Sequence, residues 1–377
     1  MQLPYSEELN IGYLSRLFDN TTNCYKFFWF QAILRKLDGA HNRFTFDELI
    51  NEMIADAWYM VTECHLRLGP LGITDNLEEV VKYIYESYGF MSSEKREKIL
   101  EFLQTTEDKK IKKHKTDLTL NVPYRLQVPF YDEIYIERSL WYGSKQELTN
   151  EINRQSRLMY YFILTSGLET VIEVDPFWAD YLFQHKEILR GWAQLKLIQY
   201  LQNKNPSVPG IADKIEAPVS RNIERVRSYW KLIIQIDSSL KDIYGDVTLA
   251  DENISVDHFV PWQYVAHDEL WNLHPTTRAI NSSKSNSLPS WIMYFSALGE
   301  MEYRAYELKG QNELVAREFD KIAPYHLNNQ EIRNQLYAEG LDKCTFIERL
   351  DHVIRPVYES AQTLGFKEWV YDGGNNI

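Results

Sequence analysis

The feature that most limits how this chain can fold is Asn203 to Pro218, NKNPSVPGIADKIEAP, where three prolines and a glycine interrupt a sequence otherwise patterned for helices. Proline lacks the amide proton a helix needs, and it drives the residue before it toward extended backbone, so such a cluster ends regular structure. A chain of 377 residues is also too long for one ordinary hydrophobic core. The connector is therefore read as the principal divide. A helical scaffold region at 1–205 precedes a connector and basic helix at 206–236, a short β-containing module at 237–306 and a helical region at 307–377. The fold class is mainly α.

Helix signals before the connector are specific. Asn20, Thr21 and Thr22 offer caps for a helix with the apolar stripe Phe27, Phe30, Leu34 and Leu37, which Asp38-Gly39 ends. Thr45 and Glu48 have the spacing of a capping box, and Leu49, Met53, Ala57, Met60, Val61 and Cys64 follow at helical intervals until Gly69-Pro70. Further helices are expected near 75–88 and 93–104, and again from 145 to 203. The run Tyr25-Lys26-Phe27-Phe28-Trp29-Phe30 would point rings all round a helix axis, which suits a buried helix better than a platform for stacking bases.

Lys and Arg number 41 against 54 Asp and Glu, a formal charge of −13, which excludes a simple electrostatic binder of nucleic acid. Any such surface has to be local. Lys109, Lys110, Lys112 and Lys113, with His114 and Lys115, form the densest positive stretch, read as a phosphate-tracking loop or a solvated linker, and Leu118, Leu120 and Val122 alternate like a strand after it. Arg221, Arg225, Arg227 and Lys231 form a second basic group on a helix beyond the connector. Three widely spaced cysteines build neither a disulfide framework nor a zinc knuckle. The acidic start MQLPYSEELN is no secretory leader, and no apolar run approaches the ~20 residues that span a bilayer, so a cytoplasmic protein without membrane contact is expected.

One stretch, Ile254 to Trp291, converges on a chemistry. Val247-Thr248-Leu249 and Ile254-Ser255-Val256 are β-prone segments around the turn-like Ala250-Asp251-Glu252-Asn253, which predicts a hairpin with Asp257-His258 at its end. Neighbouring strand residues point to opposite faces, so the pair can share a site only if the strand turns irregular there. Asn281-Ser282-Ser283-Lys284 then opens a short helix, with Asn281 at its start. Cutting a phosphodiester needs a cation on the phosphate, a base for water and a scaffold for both, and these residues supply candidates for each. His267 and His274 are assigned to an intervening loop.

Asp257-His258-x-x-Pro261, Asn272, Asn281-x-x-Lys284 and Leu288-Pro289 resemble the HNH, or ββα-metal, endonucleases, in particular the branch represented by the target-strand nuclease domain of Cas9. The resemblance covers roughly 240–306 and makes the module at 237–306 an HNH ββα-metal nuclease embedded in a helical chain, with 1–205 choosing the substrate. It implies that Asp257 and Asn281 bind Mg²⁺ or Mn²⁺, that His258 is the general base, that Asn272 holds the loop orienting His258, and that Lys284 assists by neutralising a phosphate. DNA is the implied substrate, reached through Lys109, Lys110, Lys112, Lys113, Arg221, Arg225 and Lys284, with a role in prokaryotic restriction or anti-phage defence.

Two departures bear on this. Asn281 stands where the family often has His, and Tyr244-Gly245 stands where a Cys-containing turn often sits, leaving Val256, Phe259, Trp262, Trp271 and Leu273 to brace the module by packing. An RNA-cleaving nuclease and a non-catalytic nucleic-acid-binding or assembly subunit with the same scaffold remain alternatives. A double-strand cut by a one-metal site needs two modules, which makes a homodimer or a larger defence complex attractive.

Overall fold

A computed structural model describes residues 2–73, 75–131, 136–155, 157–216 and 223–373, and it divides into two units, Met1–Pro206 and Ser207–Ile377. The first opens with α1 (Ile11–Ser15), α2 (Tyr25–Lys36) and strand β1 (Arg43–Thr45), which feeds α3 (Phe46–Thr62). Helix α3 begins at Phe46 because Thr45 accepts from the Glu48 amide at 3.1 Å while the Glu48 carboxylate accepts from the Thr45 amide at 2.8 Å. Against it pack α2, α4 (Asn76–Tyr88), α5 (Arg96–Thr105) and α6 (Lys109–Thr119). Phe27 to Phe30 are all buried, and the Trp29 ring meets Phe46 edge-on at 5.3 Å, so the aromatic run is core. The expected cap is displaced, however: α2 starts at Tyr25 behind Cys24, without a side-chain cap.

The lysine run is helix rather than loop. Asp108 caps α6 by accepting from the amides of Lys110 and Ile111 at 2.7 and 3.1 Å. Ile111, Lys115 and Leu118 fall on one buried face at helical spacing, and Leu120, expected in a strand, is exposed. Lys115 is tolerated inside because its ammonium donates to the Leu103 carbonyl at 2.8 Å and to Asp47 at 3.0 Å.

The unit continues through α7 (Val122–Arg125), α8 (Arg138–Tyr142) and α9 (Lys145–Asn153) to β2 (Tyr160–Leu164) and β3 (Val171–Val174), then α10 (Pro176–Gln184) and α11 (Lys186–Lys204). The all-helical expectation for 145–203 thus fails at two strands, which join β1 in an antiparallel sheet of order β1-β3-β2. Their sequences, YYFIL and VIEV, are β-branched and aromatic and alternate in burial, the signature of a half-buried strand.

In the second unit α12 (Glu224–Ile236) precedes β4 (Ile254–His258), β5 (Leu273–Thr277) and α13 (Arg278–Lys284), a ββα unit embedded among helices. Strand β4 pairs antiparallel with β5, from Ile254 opposite Thr277 to His258 opposite Leu273. This corrects the expected hairpin. Residues 247–249 fold back on 240–242 instead, with the Leu249 amide donating to Leu240 and Thr248 bridging to Lys241. The true partner was concealed by its own sequence, LHPTT, since Pro275 sits opposite Val256 and offers no amide to the ladder. Helix α13 also starts earlier than expected, at Arg278, because Thr277 Oγ1 accepts from the Ile280 amide at 3.3 Å, leaving Asn281 inside the helix.

After α13 come β6 (Leu288–Pro289), α14 (Trp291–Gln311), α15 (Glu313–His326), α16 (Gln330–Leu336), α17 (Lys343–Leu364), with Pro356 within it, and β7 (Glu368–Trp369). Strands β6 and β7 pair in parallel, the Leu288 amide donating to Lys367 and the Ser290 amide to Trp369. Among the described residues no helix is long and apolar enough to cross a membrane.

Candidate active site

The site is built from the end of β4 and the last turn of α13. Asp257, His258, Asn281 and Lys284 border one pocket of about 270 Å³ together with Ile223, Pro261, Trp262 and Ser285. The β4–β5 register stays regular through both Asp257 and His258, so a pocket at the strand's end reaches adjacent residues without a bulge. Ser285 closes α13 with a φ of 49°, backbone that a residue bearing a Cβ rarely adopts.

His258 is held by a group that no motif named. Its Nε2 lies 2.7 Å from Asp268 Oδ1, and the Asp268 carbonyl in turn meets His326 Nδ1 at 2.6 Å. Asn272, wholly buried, clasps Val260 from both sides: Oδ1 accepts from its amide at 2.7 Å and Nδ2 donates to its carbonyl at 2.9 Å. The Phe259 amide donates to the Asn272 carbonyl at 3.0 Å, so the backbone leaving His258 is fixed over two residues.

Asp257 is 5% exposed and already has neighbours. The Tyr244 hydroxyl donates to Oδ2 at 2.9 Å, and Lys284 Nζ stands 3.3 Å from Oδ1 and 3.2 Å from Oδ2. Lys284 also donates to the His258 carbonyl at 2.7 Å. Its ammonium is therefore buried rather than presented to solvent, and burial pulls its pKa below the lysine range against the opposing attraction of Asp257. Burial, and secondarily Asp257, likewise pushes the Tyr244 hydroxyl pKa well up, so it serves as a neutral donor.

His274, assigned to a loop from sequence, is instead a β5 residue with no exposure. Its Nε2 is 3.7 Å from Asp257 Oδ2, beyond hydrogen-bond range, and neither ring nitrogen finds a partner among the described residues. Burial lowers its pKa to about 4, so the ring is neutral near pH 7 and adds no charge beside Asp257. His267 is exposed.

Asn281 Nδ2 donates to Ser255 Oγ at 2.7 Å, with a longer contact of 3.4 Å to the Val256 carbonyl. That engages the amide nitrogen and leaves the amide oxygen for a hard cation. Asp257 passes the same test, since a carboxylate has about four lone-pair directions and Tyr244 and Lys284 do not fill them. Among the described residues no group of three His, Cys, Asp or Glu side chains could hold a metal, so the candidate donor set is one carboxylate and one amide.

The module is braced without cysteines. Asp242 accepts from the amides of Tyr244 and Gly245 at 2.7 and 3.0 Å and from the Thr276 hydroxyl, tying the turn to β5. The Tyr244 ring packs on His274, Tyr294 and Trp369, with centroids 5.1–5.4 Å apart. Gly245 lets the turn approach α13 closely, since a Cβ would stand 3.0 Å from Ile280 Cδ1 and would make that side chain shift. Val256, Phe259, Trp271 and Leu273 are buried around β4 and β5, while Trp262 is half-buried at the pocket.

The other basic residues lie apart from this pocket's lining. Lys109, Lys110, Lys112 and Lys113 are exposed on α6 of the first unit. Arg225 is exposed on α12, its guanidinium 4.1 Å from the centre of the Tyr325 ring. Arg221 lies outside the described residues.

Comparison with known proteins yields one family and no individual relative. No curated protein and no solved structure matches the chain. A family model described as HNH endonuclease matches residues 241–290, the span that runs from the Asp242 turn through β4, β5 and α13 to the end of β6, so this part of the second unit is similar to HNH endonucleases.

Proposed function

We propose that this domain is a metal-dependent endonuclease that hydrolyses DNA phosphodiester bonds in the manner of the Cas9-like branch it resembles. The observation that carries the reading is the convergence of Asp257, His258 and Asn281 on one pocket, with the His258 ring tied to Asp268. Asp257 and Asn281 would hold Mg²⁺ or Mn²⁺ through hard oxygen donors, and a bound cation would supply charge neutralisation at the scissile phosphate. His258 takes the proton of the attacking water. Nε2 is engaged by Asp268, whose carboxylate fixes the ring and stabilises the imidazolium that forms. Asn272 keeps the 259–260 backbone, and with it His258, in place. Lys284 holds the carboxylate of Asp257 and the carbonyl of His258 in one geometry, a local role in place of a surface contact with nucleic acid. The exposed lysines of α6, together with Arg225, are the proposed contacts with the phosphate backbone. The family resemblance extends the reading to prokaryotic restriction or anti-phage defence.

The test is cleavage of labelled single- and double-stranded DNA and RNA by the full chain with Mg²⁺ or Mn²⁺, beside EDTA and His258→Ala controls. Loss of cleavage in both controls is expected, and an undiminished rate in His258→Ala would overturn the assignment. Cleavage of RNA alone would move the substrate class. The buried Asp257–Lys284 ion pair favours one second reading, a non-catalytic scaffold, because it satisfies the carboxylate without a metal. Calorimetric titration with Mn²⁺ separates the two: saturable binding lost in Asp257→Ala supports the nuclease, and no binding supports the scaffold.

A further inference from the structure

Among the described residues, a cluster of cations in the first unit has no ion-pair partner. Lys26 in the first turn of α2 and Arg125 at the end of α7 both border a cavity of about 490 Å³, whose wall also carries Thr21, Thr22, Asn23 and Asn121. Lys145, which opens α9, extends its ammonium to 5.0 Å from the centre of the Tyr124 ring, next to Arg125. Among the described residues none of the three cations is in an ion pair. The Arg125 guanidinium lies over the Trp141 ring at 4.4 Å, and the Lys26 ammonium donates to the carbonyls of Asn20 at 2.9 Å and Leu17 at 3.5 Å. Asp19 attracts Lys26 only at longer range.

Such an arrangement is unfavourable as it stands. Burial, and after it the nearby Arg125, depresses the pKa of both Lys26 and Lys145. A chain with 54 acidic residues places none of them against these cations among those described. The first turn of α2, which contributes Tyr25 and Lys26 to the wall, carries no acidic residue and no side-chain cap, so its amide dipoles add positive potential to the same space. Hydroxyl and amide side chains, with the apolar Val122 and Val128, complete the lining, and the volume suits a small organic ligand.

We infer that this cavity binds a phosphate group, borne by a ligand of nucleotide size, with Arg125 and Lys26 as direct partners and Lys145 reinforcing them. The phosphate could belong to a free nucleotide or to the end of a nucleic acid strand, and the two are separated by choice of probe. The inference does not depend on nuclease activity. It is tested on full-length His258→Ala protein in EDTA by isothermal calorimetry with inorganic phosphate, ATP, and an oligothymidylate with and without a 5′-phosphate. Saturable binding near one ligand per chain is expected, weakened about tenfold or more by Arg125→Gln and by Lys145→Gln, in line with the loss of one charge-assisted contact. Binding of phosphate and ATP alone assigns a free nucleotide, and binding of the 5′-phosphorylated oligonucleotide over its unphosphorylated form assigns a strand end. Absence of binding by every probe, or equal affinity in wild type and both folded variants, would overturn the inference. Lys145 sits half-buried in the first turn of α9 and makes no ion pair among the described residues, so its variant keeps the test valid should Arg125→Gln fold poorly.

Discussion

Asn272→Ala isolates the clasp behind His258. The side chain is wholly buried and serves both polar groups of Val260, itself without exposure. Truncation leaves one buried amide and one buried carbonyl unmet. Each costs about 1–3 kcal/mol, so the sum is about 2–6 kcal/mol, and about 3 kcal/mol is expected once water admitted to the vacated space meets part of the demand. That is a large fraction of the stability of an ordinary domain. Urea unfolding of the full chain, followed by tryptophan fluorescence, reads it, provided the transition of the second unit is fitted separately, since two units can unfold independently. Asn272→Asp should also lose stability, because a carboxylate accepts from the Val260 amide but repels its carbonyl. A loss below about 1 kcal/mol in Asn272→Ala would show that the backbone after His258 does not depend on this residue.

Other expectations follow from the same geometry. Asp268→Asn keeps a polar contact to His258 but removes the charge opposite the imidazolium, so kcat for cleavage should fall about tenfold to hundredfold with KM nearly constant; an unchanged kcat would remove Asp268 from the mechanism. Glu302 on α14 is buried, has an oxygen without a hydrogen-bond partner among the described residues, and has its pKa raised by burial well above 4.5. The folded state therefore keeps its proton where the unfolded chain has released it. Its contribution is present in full below the unfolded value and is lost as pH rises through the folded value, so Glu302→Gln should gain thermal stability over wild type as pH rises above about 5, and a pH-independent difference would refute this. Within the lysine run, Lys115→Gln should cost about 1–3 kcal/mol by leaving Leu103 and Asp47 without their buried donor, while Lys113→Gln should leave the melting temperature unchanged; equal effects would contradict the division between core and surface lysines on α6.

What the sequence made legible was local chemistry. The Thr45–Glu48 box and the aromatic stripe of α2 are decided within a few residues, and the structure keeps both. The lysine run misled because Lys115 occupies an apolar position in the Ile111–Leu118 stripe, which hides a helical period behind a charge pattern. Strand β5 misled because its pairing is specified by β4 rather than by its own composition. In the site, Asp257, His258, Asn272, Asn281 and Lys284 stood out by spacing. Asp268 and His274 did not, since the contact of one and the burial of the other arise from tertiary structure with no interval of their own. The acidic residue ten positions after His258 was visible but had no pattern to single it out.

The small parallel pair between β6 and β7 has a consequence for how this domain comes into being. Leu288 and Pro289, just past the site helix, are paired by residues beyond the last long helix, and Trp369 from the same strand closes the aromatic cluster over Tyr244, the residue that donates to Asp257. The matched span 241–290 is thus contiguous in sequence but packs against a strand that lies outside it. During synthesis the segment bearing Asp257 and His258 leaves the ribosome well before the strand that clips it, so the aromatic cluster over Tyr244 closes only after β7 has emerged.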